Sequence, residues 1–192
     1  MKFHTIQAAS AKPFSRSRRS LAMALLVASF LLTAPFSDVS AAWGGGYKAC
    51  LKTKIADVSH LTITEGAEAL GLSVLVSVLP DAVADLLDSS EGITVFAPTD
   101  EAFGNIPGDI LSAIAADEAV LTKVLAYHVS PKKVDPRRAW RIRKVDTLAE
   151  QTLFVSRSRA QPTINQSKAE CQGYRTANGL VWVIDSVLLP QF

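Results

Sequence analysis

Two histidines outside the N-terminal segment are the residues best suited to acid–base or metal chemistry. His60 and His128 lie far apart in a sequence without CxxC or HExxH spacing, so they form no metal-binding motif. His128 has the residue type of a general base for a serine or cysteine nucleophile. Its neighbours Leu125, Tyr127 and Val129 are apolar or aromatic, which favours a hydrogen-bonded histidine in the core. We predict no catalytic residue and no metal site here.

Two aspartates have the residue type of a carboxylate pair, but local structure explains each of them better. Asp100 follows Thr99 at the start of a predicted helix, where the helix dipole favours negative charge. Asp185 lies between two apolar runs and fits a turn. The sequence contains neither a GxSxG elbow nor a glycine-rich phosphate loop. We therefore expect a protein that is not an enzyme and that needs no cofactor.

The first 41 residues have the pattern of an export signal. Arginines at residues 16–19 precede an apolar run at residues 21–32, which is too short to span a bilayer. Small residues at 39–42 offer a cleavage site. We predict a cleaved signal peptide at residues 1–41, with an uncleaved membrane anchor as the alternative, and hence a secreted or periplasmic protein without a transmembrane anchor. Residues 17–21 also resemble a twin-arginine signal, which keeps that export route open.

Both cysteines lie in the exported part of the chain. In an oxidising compartment Cys50 and Cys171 allow one intramolecular pair, so we predict a disulfide between them. It would join the mature N-terminus to a late loop that contains Cys171. Residues 42–50 include a run of three glycines at 44–46 and are predicted to be a flexible lead-in.

Charge is unevenly distributed along the mature chain, although its total is close to zero. Residues 1–41 hold five of the 20 basic and one of the 18 acidic residues, which leaves 15 basic and 17 acidic residues in the mature chain. Residues 57–118 contain twelve acids and no lysine or arginine, whereas residues 123–175 contain twelve basic residues and four acids. The overall charge gives no support for a nucleic-acid partner.

The densest basic stretch covers residues 132–144. One interpretation is an anion-binding patch for phospholipid, an acidic glycan or an acidic partner. The other, which we favour, is a solvated loop or edge strand in which cations discourage edge-to-edge pairing. Trp140 alone interrupts it with an aromatic ring, which is too little for nucleic-acid stacking. The basic residues of the stretch are Lys132, Lys133, Arg137, Arg138, Arg141, Arg143 and Lys144.

Residues 93–103 give the clearest structural signal. Residues 93–97 are mostly apolar and β-branched, which predicts a buried strand. Pro98 lacks the N–H needed to continue a ladder. Thr99 is suited to cap a following helix. A core strand is thus expected to lead directly into a short helix.

Helical patterns dominate before about residue 128 and strand patterns after it. Short apolar runs separated by turn residues predict a mostly antiparallel sheet, with a last strand at residues 186–189. Asn178-Gly179 predicts a two-residue hairpin turn, since both residues tolerate positive φ. Trp182 alternates with apolar neighbours and either packs in the core or lines a groove. This order of elements predicts an α+β fold.

Three segments, in order and at suitable spacing, resemble the fasciclin-type domain. They are a first signature (Thr94, Val95, Phe96, Ala97, Pro98, Thr99, Asp100 and Phe103), a central pair (Tyr127 and His128) and a second signature (Asn178, Gly179, Trp182, Ile184, Asp185, Leu188 and Pro190). The resemblance covers residues 51–190. It departs from the family pattern at Trp182, where a histidine is usual, and in the basic insert. It implies a wedge of two β-sheets with several short helices packed at one end.

The resemblance also implies a role. It suggests an exported, non-enzymatic adhesion or interaction module that binds a cell-surface or matrix protein or polysaccharide, and we expect a monomer. In some relatives the tyrosine–histidine region and the second signature are associated with receptor binding. Other relatives bind apolar pigments such as carotenoids. The alternative is therefore a carrier of a carotenoid- or lipid-like molecule, in a groove lined by Trp182, Trp140 and Phe154.

Overall fold

The computed structural model describes residues 45–158 and 161–191. The predicted signal peptide at residues 1–41 and the start of the predicted lead-in lie outside the described residues. In the described part, helices dominate before residue 128 and strands after it. The predicted α+β class is confirmed.

The helices are short, and only two of their connections, from α1 to α2 and from α4 to α5, contain a strand. They are α1 (Gly45–Lys52), α2 (Ile63–Ala69), α3 (Ser73–Ser77), α4 (Asp81–Ser89), α5 (Asp100–Gly104), α6 (Gly108–Ala116) and α7 (Glu118–Tyr127). The strands are β1 (Ala56–Asp57), β2 (Ile93–Pro98), β3 (Val129–Ser130), β4 (Arg143–Asp146), β5 (Thr152–Ser158), β6 (Gln161–Ile164), β7 (Ser167–Arg175) and β8 (Gly179–Ile184). A 3₁₀ turn covers Pro136–Arg138.

Two sheets joined through the long strand β7 form the predicted wedge. The strand order is β3-β2-β8-β7-β6-β5-β4, and β1 pairs with β7. The β2–β8 and β1–β7 pairs are parallel, whereas the other pairs are antiparallel. The register of β7 shifts between Ala169 and Gly173, so one strand serves both sheets. The sheet is mostly antiparallel, as predicted.

Each side of this wedge has its own apolar cluster. In the first cluster, residues of α2, α3 and α4 pack against one face of β2 and β8. The second cluster lies against the other face of those strands and includes residues of β4, β5 and β6. Side chains alternate across a strand, so Val95 and Val181 belong to the first cluster and Phe96 and Trp182 to the second. The two central strands are therefore buried on both faces.

The predicted passage from strand to helix at residues 93–103 is confirmed. Strand β2 ends at Pro98, and the Thr99 hydroxyl accepts a hydrogen bond from the Ala102 N–H at 3.2 Å. A capping box also starts α2, because Thr62 and Glu65 each bond the other's backbone N–H. Both caps satisfy N–H groups that a helix start leaves unpaired.

The predicted hairpin is confirmed, because β7 and β8 pair antiparallel on either side of residues 176–178, but the predicted geometry of its turn at Asn178-Gly179 is wrong. Neither residue has positive φ. Asn178 instead donates from its side-chain amide to the carbonyls of Leu87 and Ser90, at 2.6 and 3.0 Å, and so ties the end of α4 to the sheet. Gly179 is required for close approach, because a Cβ there would lie 2.6 Å from the Ile93 carbonyl oxygen.

Three other segments differ from the prediction. The lead-in is helical rather than flexible from Gly45, since α1 packs on β6 and β7. Cys171 belongs to strand β7 and not to the predicted late loop. Residues 186–189 form no strand, because the Leu188 N–H is bonded to a side chain and not to a ladder.

The predicted disulfide between Cys50 and Cys171 is confirmed. It connects α1 to β7 across 121 residues of sequence. Cys50 is almost fully buried. The disulfide therefore attaches the N-terminal helix to the strand that both sheets share.

Removal of this disulfide is expected to destabilise the fold strongly. A Cys50→Ala/Cys171→Ala variant should lose up to about 4–5 kcal/mol of unfolding free energy, because a long closed loop no longer restricts the unfolded chain. Urea unfolding of the variant, of the oxidised wild type and of the reduced wild type measures this. The reduced wild type should unfold at the same urea midpoint as the variant. An unfolding midpoint of the variant equal to that of the oxidised protein would contradict the assignment.

Candidate interaction surface

The two signature segments lie side by side as the parallel strands β2 and β8. Their register pairs Phe96 with Trp182 and Pro98 with Ile184. All residues of both strands are buried. These signature side chains therefore hold the two sheets together and have no contact with solvent through which to bind a partner.

His128 of the central pair is a buried structural residue. Its Nε2 accepts a hydrogen bond from the Leu188 N–H at 2.9 Å. Nδ1 therefore carries the proton and donates to the Val124 carbonyl at 2.8 Å. Burial lowers the pKa of His128 to about 4, against the opposing effect of the Val124 carbonyl. A neutral imidazole with both nitrogens occupied has no free position from which to act as a general base.

Tyr127, the other member of the central pair, is also buried. Its hydroxyl accepts a hydrogen bond from the Asn165 side-chain amide at 3.0 Å and lies 3.4 Å from the Thr152 carbonyl. The Asn165 side-chain carbonyl accepts from the Phe154 N–H at 2.9 Å. Asn165 has positive φ, 53°, in the tight turn between β6 and β7. Tyr127 thus fixes the turn that leads into β7, the strand shared by the two sheets.

The two aspartates are used separately, each within its own part of the fold. Asp100 accepts hydrogen bonds from the Ser73 hydroxyl and, at 2.9 Å, from the Val74 N–H. The Ser73 bond, followed by the Val74 bond, lowers the pKa of Asp100. Asp185 accepts from the Lys168 N–H at 2.8 Å and from the Ser167 hydroxyl at 3.1 Å. Asp100 thus joins α5 to α3, and Asp185 joins the end of β8 to β7.

No three His, Cys, Asp or Glu side chains of residues 45–158 and 161–191 are grouped so that they could hold a metal ion. Within the same residues, no helix has both the length and the hydropathy needed to cross a bilayer.

Arg137 is buried and does not belong to an exposed anion-binding patch. Only 5% of this residue is exposed. Its guanidinium group donates two hydrogen bonds of 2.9 Å to the Asp135 carboxylate and further ones to the carbonyls of Thr53 and Cys171. It also lies 4.9 Å from the centroid of the Trp182 ring. The predicted seven-residue patch therefore loses this member.

Trp182 packs in the core, which decides between the two predicted locations. It is fully buried, and its indole N–H donates to the Val134 carbonyl at 3.0 Å. Gly173 provides the space for the ring, because a Cβ there would lie 2.6 Å from it. The groove predicted from Trp182, Trp140 and Phe154 is wrong, since the ring of Trp182 is enclosed by protein.

The remaining basic residues divide into paired and unpaired groups. Lys132 pairs with Asp146 at 3.4 Å, and Arg138 shares Asp135 with Arg137. Lys133 is exposed. Arg141, Arg143 and Lys144 are exposed and form no ion pair with any acidic residue that the structure describes.

Large apolar side chains are exposed next to these unpaired cations. Trp140 is 68% and Ile142 is 72% exposed, and Phe154 is 45% exposed directly opposite Lys144 in the β4–β5 register. We name these exposed residues the basic–apolar surface: Trp140, Arg141, Ile142, Arg143, Lys144 and Phe154. Lys144 and Phe154 share one face of the β4–β5 pair, whereas Arg143, the first residue of β4, lies on the other face, that of Val145. It lies at β4, which forms one end of the strand order.

An apolar cavity of about 180 Å³ lies under the helices, at the first cluster. Its lining includes Ala67, Leu75, Leu79, Val83 and Leu125. Neither Trp140 nor Phe154 contributes to it. The apolar spacing of α3, α4 and α7 was visible in the sequence, but that spacing predicts only a packed face. It gave no sign that the helices leave a void.

Comparison with known proteins identifies the family. A family model for the fasciclin domain matches residues 70–190. The chain belongs to the fasciclin domain family. Its fold can also be compared with a FAS1 domain pair from the insect cell adhesion molecule Fasciclin I. That comparison covers 65% of this chain and 46% of the other, with a TM-score of 0.47 and 21% identity.

Several bacterial proteins are similar in sequence to this chain. The cell surface glycolipoprotein MPB83 of Mycobacterium bovis is 35% identical over 125 residues, 62% of this chain and 56% of the relative. The immunogenic protein MPB70 of the same species is 32% identical over 108 residues, 56% of this chain and 54% of the relative. Protein sll1483 of Synechocystis is 32% identical over 149 residues, which are 74% of this chain and 81% of the relative. The chain spans about half the length of the mycobacterial relatives that it matches.

The buried histidine leads to a prediction about pH. The pKa of His128 is about 4 in the folded state against an ordinary value of 6.5, so the unfolded chain takes up a proton first as the pH falls. The stabilisation from neutral His128 is complete above about pH 6.5 and should be lost towards pH 4, on the order of 3 kcal/mol in total. Urea unfolding of the wild type and of His128→Gln between pH 7.5 and 4.5 measures the difference.

The variant should show a weaker pH dependence of unfolding free energy across this interval. His60→Gln, which removes an exposed imidazole, is the control for loss of a histidine as such. Parallel pH profiles of the wild type and His128→Gln would contradict the structural role assigned to His128.

Proposed function

We propose that this fasciclin domain protein is an exported, non-enzymatic module that binds a protein or polysaccharide surface of the cell envelope or matrix. One observation carries the proposal: the side chains best suited to chemistry are used inside the scaffold. Both nitrogens of His128 are bonded, and Asp100 and Asp185 each hold a neighbouring backbone segment. Among the described residues, the groups available to other molecules are therefore those exposed on the surface of the domain.

The charge distribution supports a binding role. The first turns of α2, α4, α5, α6 and α7 carry acids, whereas the basic–apolar surface lies at β4. Charged regions of a protein surface increase the rate and orientation specificity of association with charged partners. The relative MPB83 is named a cell surface protein, which agrees with the export signal predicted for residues 1–41. We expect a monomeric module in a secreted or periplasmic location.

The test is capture from the envelope of the producing cell. The mature protein is immobilised, and envelope fractions are passed over it before and after treatment with protease or with periodate, which destroys many polysaccharides. We expect retention of one macromolecular component that is sensitive to one of the two treatments and that binds again after purification. The reduced, unfolded protein is the control. Retention no higher than on this control would contradict the proposal.

A second candidate function, a carrier of a small apolar molecule, is favoured by the cavity under the helices. Its volume of about 180 Å³ is close to that of an engineered cavity of about 150 Å³ that binds benzene, and below the roughly 300–1,000 Å³ of typical ligand pockets. The cavity therefore suits a single ring or a short acyl chain, and a carotenoid is too long for it. Mass spectrometry of an organic extract of protein purified from its own host distinguishes the two functions, because a bound apolar molecule in equal amount would favour the carrier.

A further inference from the structure

The basic–apolar surface carries an inference that goes beyond the proposed function. We propose that this surface docks on an anionic phospholipid bilayer, with Trp140 and Ile142 entering the interface and Arg141, Arg143 and Lys144 lying at the phosphate groups. The adhesion module would then be held at a membrane by one end of its sheet. The surfaces formed by the acidic helices would remain available to other partners.

The first support for this proposal is the positive charge of the basic–apolar surface, which no nearby acid in the described part of the chain neutralises. The acids nearest in sequence are already engaged: Asp135 pairs with Arg137 and Arg138, and Asp146 pairs with Lys132. The cations of the basic–apolar surface have no such acid among the described residues. Cations close to an anionic bilayer are attracted to it by its surface potential. The local charge is thus complementary to anionic lipid.

The apolar side chains favour lipid over an acidic polysaccharide. Trp140 and Ile142 are 68% and 72% exposed and alternate with Arg141 and Arg143. A tryptophan suits the headgroup region of a bilayer, where an amphipathic ring has both polar and apolar neighbours. A sugar can stack on the Trp140 ring, but a polysaccharide offers no apolar phase in which the exposed side chain of Ile142 could be buried. A bilayer accommodates both residues.

The base of the segment is fixed, so the exposed side chains are presented at a defined place. Pro136, Arg137 and Ala139 are buried just before Trp140. The Trp140 N–H donates to the Arg138 carbonyl at 3.1 Å. The guanidinium group of Arg141 lies 4.3 Å from the centroid of the Trp140 ring. Phe154, opposite Lys144, adds a third exposed apolar side chain on the next strand.

Co-sedimentation with vesicles tests the proposal. The mature chain is mixed with vesicles of phosphatidylcholine alone or with 30% phosphatidylglycerol, and bound protein is measured against lipid concentration. We expect binding to the anionic vesicles only. The Arg141→Gln/Arg143→Gln variant should bind about 25-fold more weakly, about fivefold for each cation removed. Lys52→Gln/Lys54→Gln removes two exposed cations elsewhere and should bind almost as the wild type does.

Insertion is tested separately, by fluorescence. Trp43 is replaced by Phe, which leaves Trp140 and the fully buried Trp182. Vesicles that contain brominated acyl chains should quench the emission, and Trp140→Phe should abolish the quenching. Trp140→Ser/Ile142→Ser should weaken binding to anionic vesicles even though all cations remain. Thermal unfolding of each variant confirms that it folds, since the replaced side chains are exposed.

Four results would overturn the lipid proposal. They are equal binding to neutral and anionic vesicles, an equal loss of binding in the Lys52→Gln/Lys54→Gln control, charge-dependent binding without quenching by brominated lipid, and binding to polygalacturonate but not to vesicles. The last result would assign the surface to an acidic polysaccharide. Capture of an envelope component without any binding to vesicles would contradict this inference and leave the proposed function supported.

Discussion

A buried guanidinium group connects its own segment, residues 135–137, to three sites that are distant from it in sequence. Arg137 contacts the carboxylate of Asp135, the backbone of Thr53 just after α1, the carbonyl of Cys171 on β7 and the ring of Trp182 on β8. A buried cation is strongly destabilising unless it is paired and hydrogen-bonded. The arrangement therefore holds only while helix α1 and the two strands remain in place. The disulfide between Cys50 and Cys171 fixes the same region covalently.

This arrangement also explains how the fasciclin fold of this chain supports the basic–apolar surface. The space under Arg137 is filled by Trp182, where the resemblance led us to expect histidine, and Gly173 leaves room for the ring. The indole N–H donates a hydrogen bond to the Val134 carbonyl. The Thr94 hydroxyl accepts one from the Val134 N–H at 2.9 Å. The segment that leads to the basic–apolar surface is thus attached to both signature strands. Scaffold residues position the surface without being part of it.

Local signals in the sequence predicted local structure well. The strand that ends at Pro98, the cap at Thr99 and the α+β order followed from residue types and spacing, and two cysteines in a chain predicted to be exported left one pairing. What failed depends on tertiary contacts. Asn178 was predicted to have positive φ because nothing in the sequence shows that its side chain binds the end of α4. Arg137 was grouped with its exposed neighbours because its burial against Trp182 is a tertiary contact. The alternation of apolar and basic residues from Trp140 to Arg143 was readable, but their exposure was not.

The most direct test of this account compares two adjacent arginines that share Asp135. Arg137 is 5% exposed, whereas the side chain of Arg138 is 78% exposed. Urea unfolding should show that Arg137→Met loses about 3–5 kcal/mol, because Asp135 is left without its main partner. Arg138→Met should change the unfolding free energy by less than about 0.5 kcal/mol, as exposed replacements usually do. Equal effects of the two replacements, or a loss below about 1 kcal/mol for Arg137→Met, would contradict the central role of the buried guanidinium group.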